Sequence, residues 1–276
     1  MKVSFQGERG AYSEEAAAAY FPSGVSLLPK PFLADVFRSA ENGDSDFAVV
    51  PVENSLEGSV NETYDLLLNS KLSIIGEIVY RVNHCLMALP GQTLKDIKEV
   101  WSHPQALSQC RKFIQAGGFV PVSLYDTAGS AKLLAERKAA GCAAIASQRA
   151  AKYYGLEIIK RGIEDSVNNY TRFFVMSRRE VEGEYVAQVK YKTSIIYSVK
   201  HMPGSLYSSL GVFAKNGVNL TKIESRPTRS TPWEYYFFVD FEGHVKMENI
   251  KKTLEGLQRE AIFIKVLGSY KRGEIL

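Results

Sequence analysis

Only three cysteines and four histidines occur in the 276 residues, and neither set gathers. Cys85, Cys110 and Cys142 are odd in number, far apart and set in apolar runs, the usage of free buried thiols in a reducing compartment rather than of a disulfide framework. His84, His103, His201 and His244 are scattered, and neither Cys-x-x-Cys nor His-Glu-x-x-His spacing is present, so no metal site and no metal cofactor are expected. Long apolar runs are missing too: none approaches the roughly 20 residues that cross a bilayer, which removes a membrane role. The opening Met1-Lys2-Val3-Ser4-Phe5 enters a strand-like pattern with no charged n-region, apolar h-region or cleavage site, and the expectation is a cytoplasmic protein. A surplus of one charge is lacking as well. The formal +4 arises from interleaved acids and bases, so no basic stripe offers itself to nucleic acid.

Two catalytic motifs fail on single residues. Gly7-Glu8-Arg9-Gly10 has no third glycine, with Ser13 in its place, so a Rossmann cofactor loop is excluded. Ser102-His103-Pro104-Gln105 comes with neither a Ser-x-Gly elbow nor an acid partner, which leaves His103 structural or substrate-positioning rather than a base.

What remains is a repeating grammar: a short apolar run, a polar cluster, then an Ala- or Leu-rich helical pattern. Val3-Ser4-Phe5 leads to Ser13 and a helix over Glu14 to Tyr20; Phe47 to Val50 leads to Glu53-Asn54-Ser55 and a helix around Tyr64 to Leu68. Val100-Trp101 leads to Ser102 and a helix through Phe113, Val122 to Tyr125 leads to Asp126-Thr127, and Ala143 to Ala146 leads to Ser147. This predicts an open, mainly parallel α/β sheet whose polar strand exits converge on one crevice. Each hydroxyl taken alone is also a good helix N-cap. Residues 72–89 read as extended segments linking two lobes, and Thr171 to Met176 as a strand returning to the first. Length predicts two domains: a two-lobed body over 1–180, a charged, Gly-interrupted linker over 181–192, and a C-terminal domain over 193–276. In the last, strands at 193–200, 218–224, 233–241 and 261–267 and helices at 205–215 and 247–259 make a ferredoxin-like βαββαβ unit. Its exposed edges favour pairing with a second copy, as a homodimer or homotetramer.

Thr171-Arg172 at a strand start joins a hydroxyl donor to a guanidinium able to grip a carboxylate. Pro51 to Val60 places a carboxylate, an amide and two hydroxyls within ten residues. Together with Gly7, Gly10 and Ser13, Ser102-His103-Pro104-Gln105-Ala106, Thr127-Ala128, Ala146-Ser147 and Asn169-Tyr170-Thr171-Arg172-Phe173, these motifs resemble, in order, the signatures of prephenate dehydratase. Asn219-Leu220-Thr221-Lys222-Ile223-Glu224-Ser225-Arg226-Pro227, after Gly204-Ser205-Leu206, is similar to the attached ACT regulatory domain. Departures are Glu8 and Ala11 for the usual Pro and Thr, and Ser205 for the Ala of the Gly-Ala-Leu motif.

The resemblance implies a periplasmic-binding-protein-like body and cofactor-free conversion of prephenate to phenylpyruvate with loss of CO2 and water. It implies Thr171 as catalytic threonine and Arg172 as carboxylate anchor. Ser13, Asn54, Ser55, Ser102, Gln105, Thr127, Ser147, Asn169 and Phe173 would bind substrate. L-phenylalanine would act as effector at Gly204, Ser205, Leu206, Asn219, Leu220, Glu224, Ser225, Arg226 and Pro227. The competing class is a non-catalytic ligand sensor, since two-lobed clefts and ferredoxin-like modules serve that role too.

Overall fold

The computed structural model describes residues 1–178, 185–228 and 233–276. In the first lobe β1 (Lys2–Gln6) is followed by α1 (Tyr12–Tyr20), β2 (Ser26–Lys30), α2 (Leu33–Asn42), β3 (Phe47–Asn54), the short β4 (Gly58–Ser59), α3 (Asn61–Asn69) and β5 (Ser73–Arg81). The chain then crosses to a second lobe of β6 (Cys85–Ala88), β7 (Glu99–Ser102), α4 (Pro104–Gln109), α5 (Arg111–Gly117), β8 (Val120–Ser123), α6 (Thr127–Arg137), β9 (Cys142–Ala146), α7 (Gln148–Tyr154) and β10 (Glu157–Arg161). Strand β11 (Tyr170–Ser177) comes back to the first lobe and lies between β3 and β5.

Helix α2 shows why a helix forms without a polar cluster before it: Leu33, Val36, Phe37 and Ala40 recur at helical spacing and all are buried. Both sheets are mixed, where the strand-helix alternation predicts mainly parallel ones. β1 is parallel to β2 and β3, and β7 to β8 and β9. β11 runs antiparallel to β3 and β5, and β6 antiparallel to β9 and β10. The reversed strands are the two that bring the chain into a sheet from the other lobe, β6 into the second and β11 back into the first, and residues 72–89, expected as extended segments between the lobes, are β5 and β6.

The C-terminal part is the βαββαβ unit expected: β12 (Tyr191–Val199), α8 (Ser205–Lys215), β13 (Leu220–Pro227), β14 (Tyr235–Glu242), α9 (Glu248–Glu260) and β15 (Ala261–Lys271), in the sheet order β13-β14-β12-β15. Of the expected linker, residues 181–184 lie outside the described residues, as do 179 and 180 at the end of the body, and Tyr191 and Lys192 already belong to β12. One sheet face packs Ile195, Tyr197, Val239 and Phe241 under the helices. The opposite face is not free. Ile196, Phe238, Leu267 and Tyr270 share one core cluster with Leu67, Leu72, Phe174 and Met176 of the first lobe. Backbone approach here is close: a Cβ on Gly268, whose φ is +153°, would stand 2.1 Å from the Ile74 carbonyl oxygen of β5. Beyond β15, Leu276 donates its N–H to the Val79 carbonyl, tying the chain end to the edge of the first sheet.

Candidate active site

The pairing of β11 with β3 puts Thr171 opposite Asn54 at the adjoining ends of the two strands. A cavity of about 90 Å³ opens there, lined by Thr171, Asn54, Gln105, Thr127, Tyr12, His84, His103, Gln109, Val82 and Ala106. Four of the residues expected to touch substrate therefore meet, Asn54, Gln105, Thr127 and Thr171, beside His103, whose Nδ1 caps α4 by accepting the Gln105 N–H at 3.3 Å. Tyr12 and Thr127 sit in the first turns of α1 and α6, so the positive ends of two helix dipoles face this space. Thr127 is free of capping duty, because Asp126 caps α6 by accepting from the Gly129 N–H at 2.6 Å. The Asp126 carboxyl is pushed above its ordinary value by burial.

A string of amides runs behind the cleft. Asn54 Oδ1 accepts the backbone N–H groups of Leu56 and Glu57, at 3.0 and 3.1 Å. Its Nδ2 is thereby committed as donor, to Asn169 Oδ1 at 2.8 Å and to Thr171 Oγ1 at 3.0 Å. Asn169 Nδ2 donates to Gln109 Oε1 at 2.9 Å, which also meets His84 Nε2 at 2.9 Å. His84 Nδ1 lies 2.8 Å from the Tyr12 hydroxyl.

The other proposed substrate ligands lie elsewhere. Asn169 is fully buried behind Asn54 and acts on the cleft only through it. Ser13 is buried inside α1, which starts at Tyr12 rather than at Glu14, and Tyr12 takes its place in the cleft. Ser55 donates to the Asn168 carbonyl and accepts the Tyr170 N–H, fixing the entry of β11. Ser102 is buried and bonded to the Ile145 carbonyl, an interstrand role. Ser147 caps α7 through the Ala150 N–H and donates to the Gly10 carbonyl, joining the lobes. Phe173 is core, 2% exposed among Val3, Val49 and Ile78.

Arg172 requires the largest correction. Successive side chains on a strand point to opposite faces, so Thr171 faces the cleft while Arg172 faces the C-terminal sheet. Its Nη1 lies 2.6 Å from Asp240 of β14 and 3.0 Å from Glu77 of β5, and its Nε 3.3 Å from Glu53. Lys192 of β12 completes the cluster, 2.7 Å from Glu77. Burial works against the guanidinium's charge, but the carboxylate of Asp240 leads a set of neighbours that holds its pKa above the ordinary value. Asp240 and Glu77 share the Nη1 of the guanidinium expected to hold a substrate carboxylate, and Glu53 stands at ion-pair distance from its Nε.

The proposed effector residues also divide. Ser205 and Leu206, after Gly204 in the left-handed conformation, line a cavity of about 110 Å³ with Met202, Trp233, Tyr235 and Phe237. On β13, Glu224 and Arg226 turn instead to the first lobe: Glu224 accepts from Ser59, and Arg226 holds Asp65 through two bonds of 3.1 Å. Lys222 on the same face reaches Glu53 at 3.1 Å. Leu220 packs under the helices, Ser225 and Pro227 are exposed, and Asn219 is exposed with its carbonyl taken by the Glu242 N–H.

Tyr12, His84 and Gln109 were missed in the sequence. Gln109 had a signal, since it stands one helical turn from Gln105 and shares its face. His84 and Tyr12 had none, because their meeting depends on how the lobes pack.

The family model for prephenate dehydratase matches residues 3–181, and that for the ACT domain residues 193–259. A protein of Arabidopsis thaliana named arogenate dehydratase/prephenate dehydratase 2, chloroplastic, is 42% identical over 279 residues, covering 98% of this chain and 72% of that one. A solved structure of prephenate dehydratase from Arthrobacter aurescens in complex with L-Phe is 32% identical with a TM-score of 0.90, over 99% of this chain and 90% of that one. Another, described as GqqA, a novel type of quorum quenching acylases, is 35% identical with a TM-score of 0.92, over 99% and 98%.

Proposed function

The chain belongs to the prephenate dehydratase family, and we propose that its interlobe cleft converts prephenate to phenylpyruvate with Thr171 as the proton donor. The observation that carries this is the 3.0 Å bond from Asn54 Nδ2 to Thr171 Oγ1. With that oxygen accepting from a fixed donor, the hydroxyl's own proton is available to the substrate. In the reaction the bond from the ring to its carboxylate breaks and releases CO2. Its electron pair enters the ring, and the bond to the para hydroxyl breaks. That hydroxyl leaves as water with the Thr171 proton, and aromatisation drives the step. Asn54 stabilises the threonine oxygen until solvent returns its proton, a donor aimed at developing charge. With Arg172 turned away, the two carboxylates of the substrate are met by the first turns of α1 and α6 and by the amides of Gln105 and Gln109. An acylase reading is less well supported, because the partner of Thr171 is an amide donor, which cannot take a proton from a nucleophile.

L-phenylalanine regulates this activity through the C-terminal domain. Glu53 and Arg172 are the chain neighbours of Asn54 and Thr171, and Lys222 and Asp240 of that domain hold them from behind. A shift of β13 or β14 thus acts on the two strand ends that carry the cleft's donors. Steady-state assay of the full chain tests both halves. Phenylpyruvate forms from prephenate, and L-phenylalanine suppresses it. In Lys222→Met the effector still binds by calorimetry, but its half-inhibiting concentration rises about tenfold, within the usual range of coupling energies. Unchanged inhibition in that variant would show that the contact carries no coupling.

A further inference from the structure

We infer that His84 is a positioning residue for this reaction: a neutral imidazole with its proton on Nε2 that turns the Gln109 amide so that its NH2 group faces the cleft. The inference deepens the dehydratase reading and rests on it for its kinetic consequence.

The proton order follows from one fixed end. The N–H groups of Leu56 and Glu57 can only donate, so Asn54 must present Oδ1 to them and Nδ2 to Asn169. Asn169 therefore accepts at Oδ1 and donates from Nδ2, and Gln109 must receive that bond at Oε1. His84 Nε2 meets the same oxygen, an acceptor, so Nε2 carries the proton. Gln109 lines the cleft. With both bonds landing on its oxygen, its NH2 has no protein partner among the described residues and is left for an anionic substrate group.

The alternatives are worse. Turning Gln109 over would set its NH2 against the Nδ2 of Asn169, donor against donor. A charged imidazole would put a cation in a site where His84 is 2% exposed; burial pulls its pKa below the ordinary value, against the opposing pull of the Gln109 bond and of Glu164. In the neutral Nε2–H form, Nδ1 is an acceptor 2.8 Å from the Tyr12 hydroxyl, whose single proton is shared between it and the Asn83 carbonyl at 3.0 Å. The order imposed at Leu56 thus extends through four side chains, from Asn54 to His84.

Two measurements on the full 276-residue chain decide it. Nitrogen-15 NMR of the histidine ring, without substrate at neutral pH, is expected to show His84 as the neutral Nε2–H tautomer; an Nδ1–H tautomer or an imidazolium would overturn the inference. In kinetics, His84→Leu removes the donor and lowers kcat/KM on prephenate about tenfold, the worth of one buried hydrogen bond. His84→Gln, whose side-chain nitrogen can reach the position of Nε2, restores it to within about threefold of the parent. Equal losses in the two variants, or no loss in either, would also overturn it. Should the unaltered chain fail to turn over prephenate, the dehydratase reading falls, while the tautomer, measured without substrate, still decides the role of His84.

Discussion

Thr171→Ala is expected to lower kcat on prephenate about a thousandfold, within the range that a positioned proton donor contributes. KM changes little, because binding rests on the amides and helix ends that surround the threonine. Thr171→Ser keeps a hydroxyl within reach of Asn54 Nδ2 and retains kcat within about tenfold. The fold is not at issue: Thr171 is only half-buried at a strand end, so the melting temperature of the alanine variant stays near that of the parent. Steady-state kinetics with a thermal melt on the same samples checks this. An alanine variant with kcat within threefold of the parent would remove Thr171 as the acid.

Arg172→Met has the second large effect, and on a different quantity. It leaves Asp240 buried without its cation and Glu77 with Lys192 alone. Removing one member of such a cluster costs about 3 to 5 kcal/mol, a fall in melting temperature of roughly 10 °C for a chain of this size. Loss of the tie from β11 to β14 also weakens inhibition by L-phenylalanine. A variant with unchanged stability but a much raised KM would instead return Arg172 to the substrate, the role its sequence context suggests.

That contrast shows where sequence reading stops. The βαββαβ unit was legible because its strands alternate and its helices repeat at their own period. The return of the 171–176 strand to the first lobe followed from reading residues 72–89 as the passage between two lobes. Asn54, Gln105, Thr127 and Thr171 could be read from their motifs because strand ends and helix starts meet at one crevice whatever the details of the lobes. Thr171 and Arg172, as neighbours on a strand, could not both face it. The guanidinium was assigned to the substrate because its real partners, Asp240 and Glu77, are distant in sequence. Ser102 and Ser147 illustrate the other difficulty. A serine before a helix has a backbone use as well as a chemical one, and only the carbonyls of Ile145 and Gly10 show which applies. His84 and Gln109 belong to a hydrogen-bond string spanning both lobes, which no local pattern encodes.

The docking of the C-terminal sheet was hidden for a related reason. Its second face carries Ile196, Phe238 and Leu267, apolar enough to be covered but silent about what covers it. The first lobe does so, placing the regulatory domain against the backs of β3 and β11.

On the proposed mechanism this cleft, using its own side chains, carries prephenate to phenylpyruvate with Thr171 as donor. Purified protein treated with a chelator and mixed with prephenate at neutral pH tests it directly, with phenylpyruvate and CO2 followed together. Formation of both in equal amounts, nearly abolished in Thr171→Ala, is the predicted result; absence of phenylpyruvate, or equal turnover by the variant, would contradict it.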